Sequence, residues 1–348
     1  MKRGTRLASY LALSCIIVVV FASLYPFTGW RDPGVGTFSF LYASFPKHLL
    51  MGDALINLAG YVPLGFFLAQ ARMDRKAPVL FSLFSCSLLS LAMESTQMYL
   101  PERVASNLDW MANTAGGFAG ALLGRRISGL PIVDIHLTML KDSWLRPGPL
   151  GDAGIALLAL WLFTQANPAI PLMGSWVPER GDLLQRLFMP HQFSLPEAVS
   201  ISINLLSFGL VTTLCVREDK AGIFPVATAL LLAVLVKSAM AGVLLKPSVF
   251  FTWANAEALI GVGAGLLPIL FLRSLAPRIR AIAAALAMAA QILFPFLHPD
   301  AASPVTSLFL FDWKYGQIPT LNGATSFLAR LWPFLALAYL GLVYRKGL

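Results

Sequence analysis

Residues 78–98 read PVLFSLFSCSLLSLAMESTQM, an apolar run of membrane-spanning length that ends in a short polar segment. A helix needs roughly 20 mostly apolar residues to cross the hydrocarbon core of a bilayer. The whole chain shares this character, since 57% of its 348 residues are hydrophobic and only 12% are charged. Soluble domains carry about 25% charged residues. The composition therefore excludes a soluble enzyme, a disordered chain and a disulfide scaffold, and it predicts an all-α, polytopic integral membrane protein.

Nine further apolar runs accompany this one, so the sequence predicts a helical bundle of about ten transmembrane helices. The predicted spans lie near 7–27, 53–71, 78–98, 107–124, 151–167, 197–216, 221–244, 254–272, 279–297 and 325–344. The outer connectors between them include long segments rich in Pro, Gly and aromatic residues, a composition that suits the membrane–water interface.

Lys and Arg are distributed unevenly over the connectors of this ten-span arrangement. With the N-terminus in the cytoplasm, the inner segments hold 17 of the 26 basic residues, the outer segments hold 8 and one lies within a span. Cytoplasmic loops of membrane proteins carry an excess of Lys and Arg. The pattern predicts a multi-pass protein of the bacterial inner membrane with both termini cytoplasmic. It also explains the net charge of +9 without a nucleic-acid partner.

The chain contains signs of an internal repeat. At an offset of 143 residues, Glu94 aligns with Lys237, and Gly120 aligns with Gly263. We therefore expect a 4+4+2 arrangement of helices. Its parts are a four-helix membrane unit at 1–127, a cytoplasmic connector at 128–150, a degenerate second four-helix unit at 151–273 and a two-helix partial repeat at 274–348.

Polar residues within the spans concentrate in the first unit and define a candidate ligand-binding site. The candidates are Asn57, Glu94, Gln97, Arg103, Asp109 and Asn113. Glu94 and Gln97 share one helical face, and so do Asp109 and Asn113, because they are spaced three and four residues apart. Lipid penalises charged side chains, so we expect both faces to turn inward and to converge in one cavity open toward the outer leaflet.

Three glycines follow Asn113 at intervals of four residues, namely Gly116, Gly120 and Gly124. Small residues at this spacing allow two membrane helices to approach closely. We therefore expect these glycines to pack the fourth helix tightly against a neighbour.

The first unit resembles the VanZ-like family. The matching elements are Asn57, the segment Pro63-Leu64-Gly65-Phe66, Glu94, Gln97, Arg103, Asp109, Asn113, Thr114, Gly116 and Gly120. They cover about residues 50–124, and the resemblance implies that the first helix belongs to the same unit. The family is named for an association with glycopeptide-antibiotic resistance and consists of small integral membrane proteins. The resemblance therefore implies a site more clearly than it implies a reaction.

The second unit departs from that pattern, since Lys237 replaces the glutamate and Glu257 stands near the glycines. An isolated charge at the centre of a bilayer costs about 2.5–3.5 kcal/mol. We therefore expect Lys237 and Glu257 to form a structural ion pair, with transport chemistry as the alternative.

Several functions fit the first unit. The favoured one is binding or handling of an envelope lipid or lipid-linked glycan at the outer leaflet. The alternatives are a membrane enzyme that uses Glu94 and Asp109 on such a lipid, and a scaffold for a cell-surface polysaccharide assembly complex with other envelope-assembly proteins as partners. A purely structural role, with Arg103 neutralising Asp109 at a helix N-terminus, also stays open. The sequence contains no metal-ligand motif, P-loop or nucleophile elbow, so we expect neither metal nor cofactor.

Overall fold

The computed structural model describes residues 6–44, 51–130, 139–167, 172–173, 193–244, 254, 256–297 and 318–346. The described chain is predominantly helical, and its β-type pairing is an isolated bridge between Leu145 and Val216. The prediction of an all-α fold is confirmed. The chain forms two compact units, Met1–Lys141 with Tyr315–Ala324, and Asp142–Lys314 with Thr325–Leu348. The division into a repeat of 4+4+2 helices remains a prediction.

Four long helices lie wholly within the described residues of the first unit. They are α1 (Arg6–Leu24), α2 (Met51–Ala71), α3 (Pro78–Gln97) and α4 (Asn107–Gly129), with a short 3₁₀ turn at Ser39–Tyr42. Pro78 opens α3, where the missing N–H has no helical partner to lose. Ser106 caps α4 because its side chain accepts a hydrogen bond from Leu108 N.

The second unit contains the remaining long helices. They are α5 (Pro149–Thr164), α6 (Leu195–Cys215), α7 (Ile223–Leu244), α8 (Ala256–Leu272), α9 (Pro277–Leu297) and the greater part of α10 (Ile318–Arg345), with a 3₁₀ turn at Glu218–Lys220 between α6 and α7. Helix α6 is central, since it packs against α5, α7, α8 and α9.

Each of the ten predicted spans falls on one of these ten helices. Within the described part of the chain, seven are long and apolar enough to cross a membrane, namely α1, α2, α3, α6, α7, α9 and α10. Helices α5 and α8 are apolar but have only 16 and 17 residues. Helix α4 is the least apolar of the ten. The protein is therefore a multi-pass helical membrane protein, whereas the count of ten spans remains a prediction.

Helix α3 separates its residues by face in the sense expected of a membrane helix. Leu80, Phe84 and Leu88 are exposed and recur every four residues. The opposite face is buried and carries small or polar residues, namely Ser82, Cys86, Ser90 and Glu94. Since lipid accepts apolar side chains and penalises charged ones, the exposed face suits lipid and the buried face suits the helix bundle.

The closest packing in the first unit joins α4 to α2 through glycines. A Cβ atom at Gly116 would lie 2.1 Å from Leu58 O, and one at Gly120 would lie 2.0 Å from Val62 O. At Gly124 the corresponding distance to Phe66 O is 3.2 Å, which is tight but less severe. These positions have no room for a side chain, so the backbones of α2 and α4 are in direct contact.

A similar glycine contact joins α8 to α6 in the second unit. A Cβ atom would lie 2.6 Å from Ala198 O at Gly261, and 2.8 Å from Ser202 O at Gly265. Gly263, which the sequence comparison paired with Gly120, faces open space. The contacts therefore favour Gly261 and Gly265 as the packing glycines of α8, on the face of the helix that the repeat offset did not select.

Candidate functional site

A group of buried polar side chains lies where α2, α3 and α4 meet. Its members are Tyr61 on α2, Ser90 and Glu94 on α3, and Asn113 on α4, and we call them the polar cluster. Glu94 is only 3% exposed and Asn113 only 6%. Tyr61 and Asn113 lie on α2 and α4, which are in direct contact through the glycines of α4. Ser90 and Glu94 lie on the buried face of α3.

Hydrogen bonds tie the polar cluster to the N-terminal part of α4. The Asn113 amide nitrogen donates to the Ser90 hydroxyl at 3.0 Å. The Glu94 carboxylate accepts from the backbone N–H of Ser106, the N-cap residue of α4, at 2.9 Å. A carboxylate near a helix N-terminus is favoured by the orientation of the peptide dipoles. Glu94 therefore has a structural task in addition to any role in ligand binding.

Three polar atoms in or beside the polar cluster are buried without a hydrogen-bond partner among the described residues. The Tyr61 hydroxyl lies beside Ser90 and within electrostatic reach of Glu94. Even so, within the described residues Tyr61 Oη, Ser95 Oγ and Asn113 Oδ1 are buried and make no hydrogen bond of ordinary geometry. Buried polar groups in folded proteins nearly always have partners, so each exception requires an explanation.

Asp109 and Asn57 lie at the edge of the polar cluster. Asp109 is half-buried in the first turn of α4 and lies close enough to Glu94 to interact electrostatically. Asn57 is half-buried and precedes Tyr61 by one helical turn, which places it on the same face of α2. These two residues extend the cluster toward one end of the first unit.

Gln97 and Arg103 direct their described hydrogen bonds to α1 instead. The Arg103 guanidinium donates to Tyr25 O at 2.8 Å and to Ala22 O at 3.1 Å, and the Gln97 amide donates to Ser23 O at 2.8 Å. These carbonyls lie at the C-terminus of α1, where no further turn of helix can satisfy them. Burial lowers the pKa of the Arg103 guanidinium below its ordinary value, and the neighbouring Glu102 opposes that shift.

The two long side chains therefore complete the end of α1. A cation is favoured at a helix C-terminus, and the fork of the guanidinium spans two carbonyls at once. The salt-bridged cap between Arg103 and Asp109 stays a prediction. Of the six predicted site residues, Glu94 and Asn113 lie in the polar cluster, Asn57 and Asp109 lie at its edge, and Gln97 and Arg103 also bond to the end of α1.

The first unit matches a known family. Residues 8–128 match the model of the VanZ/LLP1 family. This part of the chain is VanZ-like. The match extends the resemblance seen in the sequence to almost all of α1 and of α4. No curated protein and no solved structure matches the chain.

The sequence analysis did not predict two members of the polar cluster, Ser90 and Tyr61, in the VanZ-like part. Ser90 precedes Glu94 by one helical turn, and Tyr61 follows Asn57 by one turn, so both continue a predicted polar face toward the middle of the bundle. A search of each face for hydroxyl groups, in addition to charges and amides, would have found them.

The two charged residues predicted to pair in the second unit, Lys237 and Glu257, each have a described hydrogen-bond partner. The Lys237 ammonium group is buried and donates to Asn167 O at 3.0 Å. Glu257 is also buried and accepts from the backbone N–H of Ser194, the N-cap residue of α6, at 2.9 Å. These contacts lead to different elements, and an ion pair between Lys237 and Glu257 stays a prediction. Among the described residues, no group of three His, Cys, Asp or Glu side chains could hold a metal ion.

Proposed function

We propose that the VanZ-like part binds the hydroxyl-bearing head group of an envelope lipid or lipid-linked glycan at the outer leaflet of the bacterial inner membrane. The observation that carries this proposal is the polar cluster with its unused, buried hydrogen-bonding atoms. A buried polar atom without a partner costs about 1–3 kcal/mol. A ligand that supplies the missing partners would offset this cost. A core with only a structural role would avoid the cost by being apolar.

The chemistry of the polar cluster favours hydroxyl groups over phosphate. Glu94 and Asp109 supply carboxylate oxygens that accept hydrogen bonds, and Asn113 adds an amide oxygen that makes none. Arg103, the cation of the predicted site, is engaged with the carbonyls of α1. An anionic group would be repelled by the carboxylates of Glu94 and Asp109, whereas sugar hydroxyls would find acceptors there.

The end of the unit that carries Asn57 and Asp109 is the proposed entrance. Both residues are half-buried and lie beyond the fully buried members of the polar cluster. The distribution of basic residues in the sequence assigns this end to the outer side of the membrane and both termini to the cytoplasm. A head group in the outer leaflet would reach the cluster from here.

The direct test compares two lipids that differ only in the sugar. The protein in nanodiscs is titrated with a short-chain polyprenyl phosphate sugar and with the same polyprenyl phosphate carrying a methyl ester in place of the sugar, so that both lipids are phosphodiesters of equal charge. The parent protein should bind the sugar-bearing lipid more tightly. Because a hydrogen bond to a charged group contributes about 1.5–3 kcal/mol, Glu94→Gln should weaken that binding at least about tenfold.

A matched control removes the same charge elsewhere. Glu102 is exposed, so Glu102→Gln should leave the affinity unchanged. Equal affinities of the parent protein for the two lipids, or equal effects of the two glutamate variants, would count against the proposed head-group site.

One observation favours a second candidate, a membrane enzyme that acts on the same class of lipid. Glu94 is fully buried whereas Asp109 is half-buried, and the two lie within electrostatic reach. Two carboxyl groups in different environments can divide the roles of general acid and general base. Mass spectrometry of the lipid after incubation distinguishes the candidates, because an enzyme with Glu94→Gln would lose turnover while retaining the lipid.

The second unit is proposed as a degenerate copy that supports the first, and a scaffold role toward envelope-assembly proteins is an alternative for the whole chain. In each unit, two glycines spaced four residues apart face two carbonyls that are also four apart, with Gly116 and Gly120 against α2, and Gly261 and Gly265 against α6. This shared contact is the observation that supports duplication.

A further inference from the structure

Two buried arginines in the second unit share one glutamate. Arg146 lies just before α5, Arg280 lies in the first turn of α9, and both form ion pairs with Glu218 in the 3₁₀ turn after α6. The side chain of Arg280 is 0% exposed and that of Arg146 is 8% exposed, whereas the side chain of Glu218 is 51% exposed. We call Arg146 and Arg280 the arginine pair.

Backbone contacts hold the arginine pair at the end of α6. Arg280 donates through Nε to Leu275 O at 3.1 Å and through Nη1 to Thr213 O at 3.3 Å. The backbone N–H of Arg146 donates to Cys215 O at 3.0 Å. The Arg280 guanidinium and the backbone of Arg146 are thus fixed before any ligand arrives, which reduces the entropy that binding would cost.

The arginine pair has unused capacity. The Nε atom of Arg146 is buried and has no hydrogen-bond partner among the described residues. The two arginines also repel one another, since they lie within electrostatic reach. One carboxylate faces two guanidinium groups, and the nearby Asp219 is engaged with Arg217 at 3.2 Å and with Lys220 at 3.7 Å. The arginine pair therefore carries one more positive charge than the carboxylate that it shares.

We propose that the arginine pair is a binding site for a phosphate group, and that Glu218 occupies the site until phosphate displaces it. A phosphate carries more negative charge and more acceptor oxygens than one carboxylate, and arginine binds it through two parallel hydrogen bonds. Glu218 is half-exposed, so its carboxylate position is open to solvent on one side and to the two guanidinium groups on the other. A ligand from solution would therefore reach the arginines by replacing that carboxylate.

The position of the site points to a phospholipid as one source of the phosphate. The arginine pair lies where α5 and α9 begin and α6 ends, and the ends of spanning helices lie at the level of the lipid head groups. Basic pockets between membrane helices bind anionic head groups. Free phosphate has the same chemistry, so the test must separate the two sources.

The test uses the full chain with Glu218→Gln, and Asp219→Asn as a matched control on the same turn. Thermal unfolding is measured in phosphatidylcholine nanodiscs, in the same nanodiscs containing phosphatidylglycerol, and in phosphatidylcholine nanodiscs with inorganic phosphate against chloride of equal ionic strength. In phosphatidylcholine, Glu218→Gln should lower the unfolding temperature more than Asp219→Asn. Phosphatidylglycerol should restore most of that loss, and it should stabilise the parent protein less because Glu218 competes.

Each outcome decides the proposal. Restoration by phosphatidylglycerol alone supports a lipid phosphate site, and equal restoration by inorganic phosphate supports a site for free phosphate. A loss that neither restores shows that Glu218 is only a clamp and overturns the proposal, as does an equal loss in the two variants. If Glu218→Gln does not fold, native mass spectrometry of the parent protein and of Arg146→Gln replaces the unfolding measurement. The parent should then retain phosphatidylglycerol about tenfold better, and equal retention would overturn the proposal.

Discussion

Glu94 has two roles, because its carboxylate accepts a hydrogen bond at the N-terminus of α4 and also belongs to the polar cluster. The Ser106 N–H donates to it, so any substitution that removes the acceptor leaves a donor without its partner. We expect Glu94→Ala to destabilise the protein by about 1–3 kcal/mol. Glu94→Gln should cost less, since the amide retains an acceptor oxygen. Thermal unfolding in detergent measures both, and equal losses would show that the hydrogen bond to Ser106 does not contribute.

Arg103 is expected to act through α1 rather than through a ligand. Arg103→Ala removes the donors to Ala22 O and Tyr25 O, and the cost should be about 1–3 kcal/mol. Arg31→Ala removes the same charge from an exposed side chain and should change stability by less than about 0.5 kcal/mol. Thermal unfolding compares the two. A loss of ligand affinity in Arg103→Ala without a loss of stability would contradict the helix-cap role.

For single residues, the sequence predicts the helix face on which a side chain lies more readily than the hydrogen-bond partner that it reaches. Glu94 and Asn113 could be placed on inward faces because helical spacing and the cost of charge in lipid act locally. The partners of Gln97 and Arg103 could not be predicted in this way. Their acceptors, Ser23 O and Tyr25 O, lie more than 70 residues away in the chain. Such long side chains can turn toward any nearby carbonyl, and spacing within one helix does not indicate which.

At the scale of elements, the contact between α2 and α4 depends on bare backbone. A Cβ atom at Gly120 would lie 2.0 Å from Val62 O, and one at Gly60 would have nothing within 4 Å. We expect Gly120→Ala to destabilise the protein by about 1–3 kcal/mol through overpacking. Gly120→Leu should be worse, because a larger side chain forces the helices further apart.

The control for this prediction comes from α2 itself. Gly60→Ala should be neutral or should stabilise by up to about 1 kcal/mol, because alanine is the better helix former. Thermal unfolding of the two alanine variants provides the comparison. If Gly120→Ala unfolds at the temperature of Gly60→Ala, the close approach of α2 and α4 is wrong.

The sequence predicted helices well and helix registers less well. Long apolar runs locate helices because length and hydropathy are properties of the run itself. The face by which a helix packs depends on its neighbour, and an offset between two similar apolar sequences can be wrong by two residues without affecting composition. Gly263, which the predicted offset paired with Gly120, faces open space, whereas Gly261 and Gly265 make the contacts.

At the scale of the whole molecule, the number of helices that cross the membrane decides on which side each connector lies. The ten-span prediction places the N-terminus, the connector containing Asp74 and the C-terminus in the cytoplasm, and it places the segment containing Asp32 outside. With the native cysteines replaced, an impermeant maleimide should label Asp32→Cys in intact cells. It should label Asp74→Cys and Lys346→Cys only after lysis.

Two labelling results would contradict this topology. Labelling of Lys346→Cys in intact cells would place the C-terminus outside and would contradict the ten-span prediction. Labelling of Asp74→Cys there would place the connector between α2 and α3 outside and would reverse the proposed entrance to the polar cluster. The predicted outer positions Arg180 and Lys314 lie outside the described residues and provide two further sites for the same assay.

Ligand retention by the polar cluster tests the central claim most directly. Native mass spectrometry of the protein purified from its own membranes should show a bound lipid whose fragments include a sugar. Glu94→Gln should lose that adduct, while Glu102→Gln, which removes an exposed carboxylate, should keep it. A parent protein that carries no such adduct, or a Glu94→Gln variant that retains it as fully as Glu102→Gln, would contradict a head-group site in the VanZ-like part.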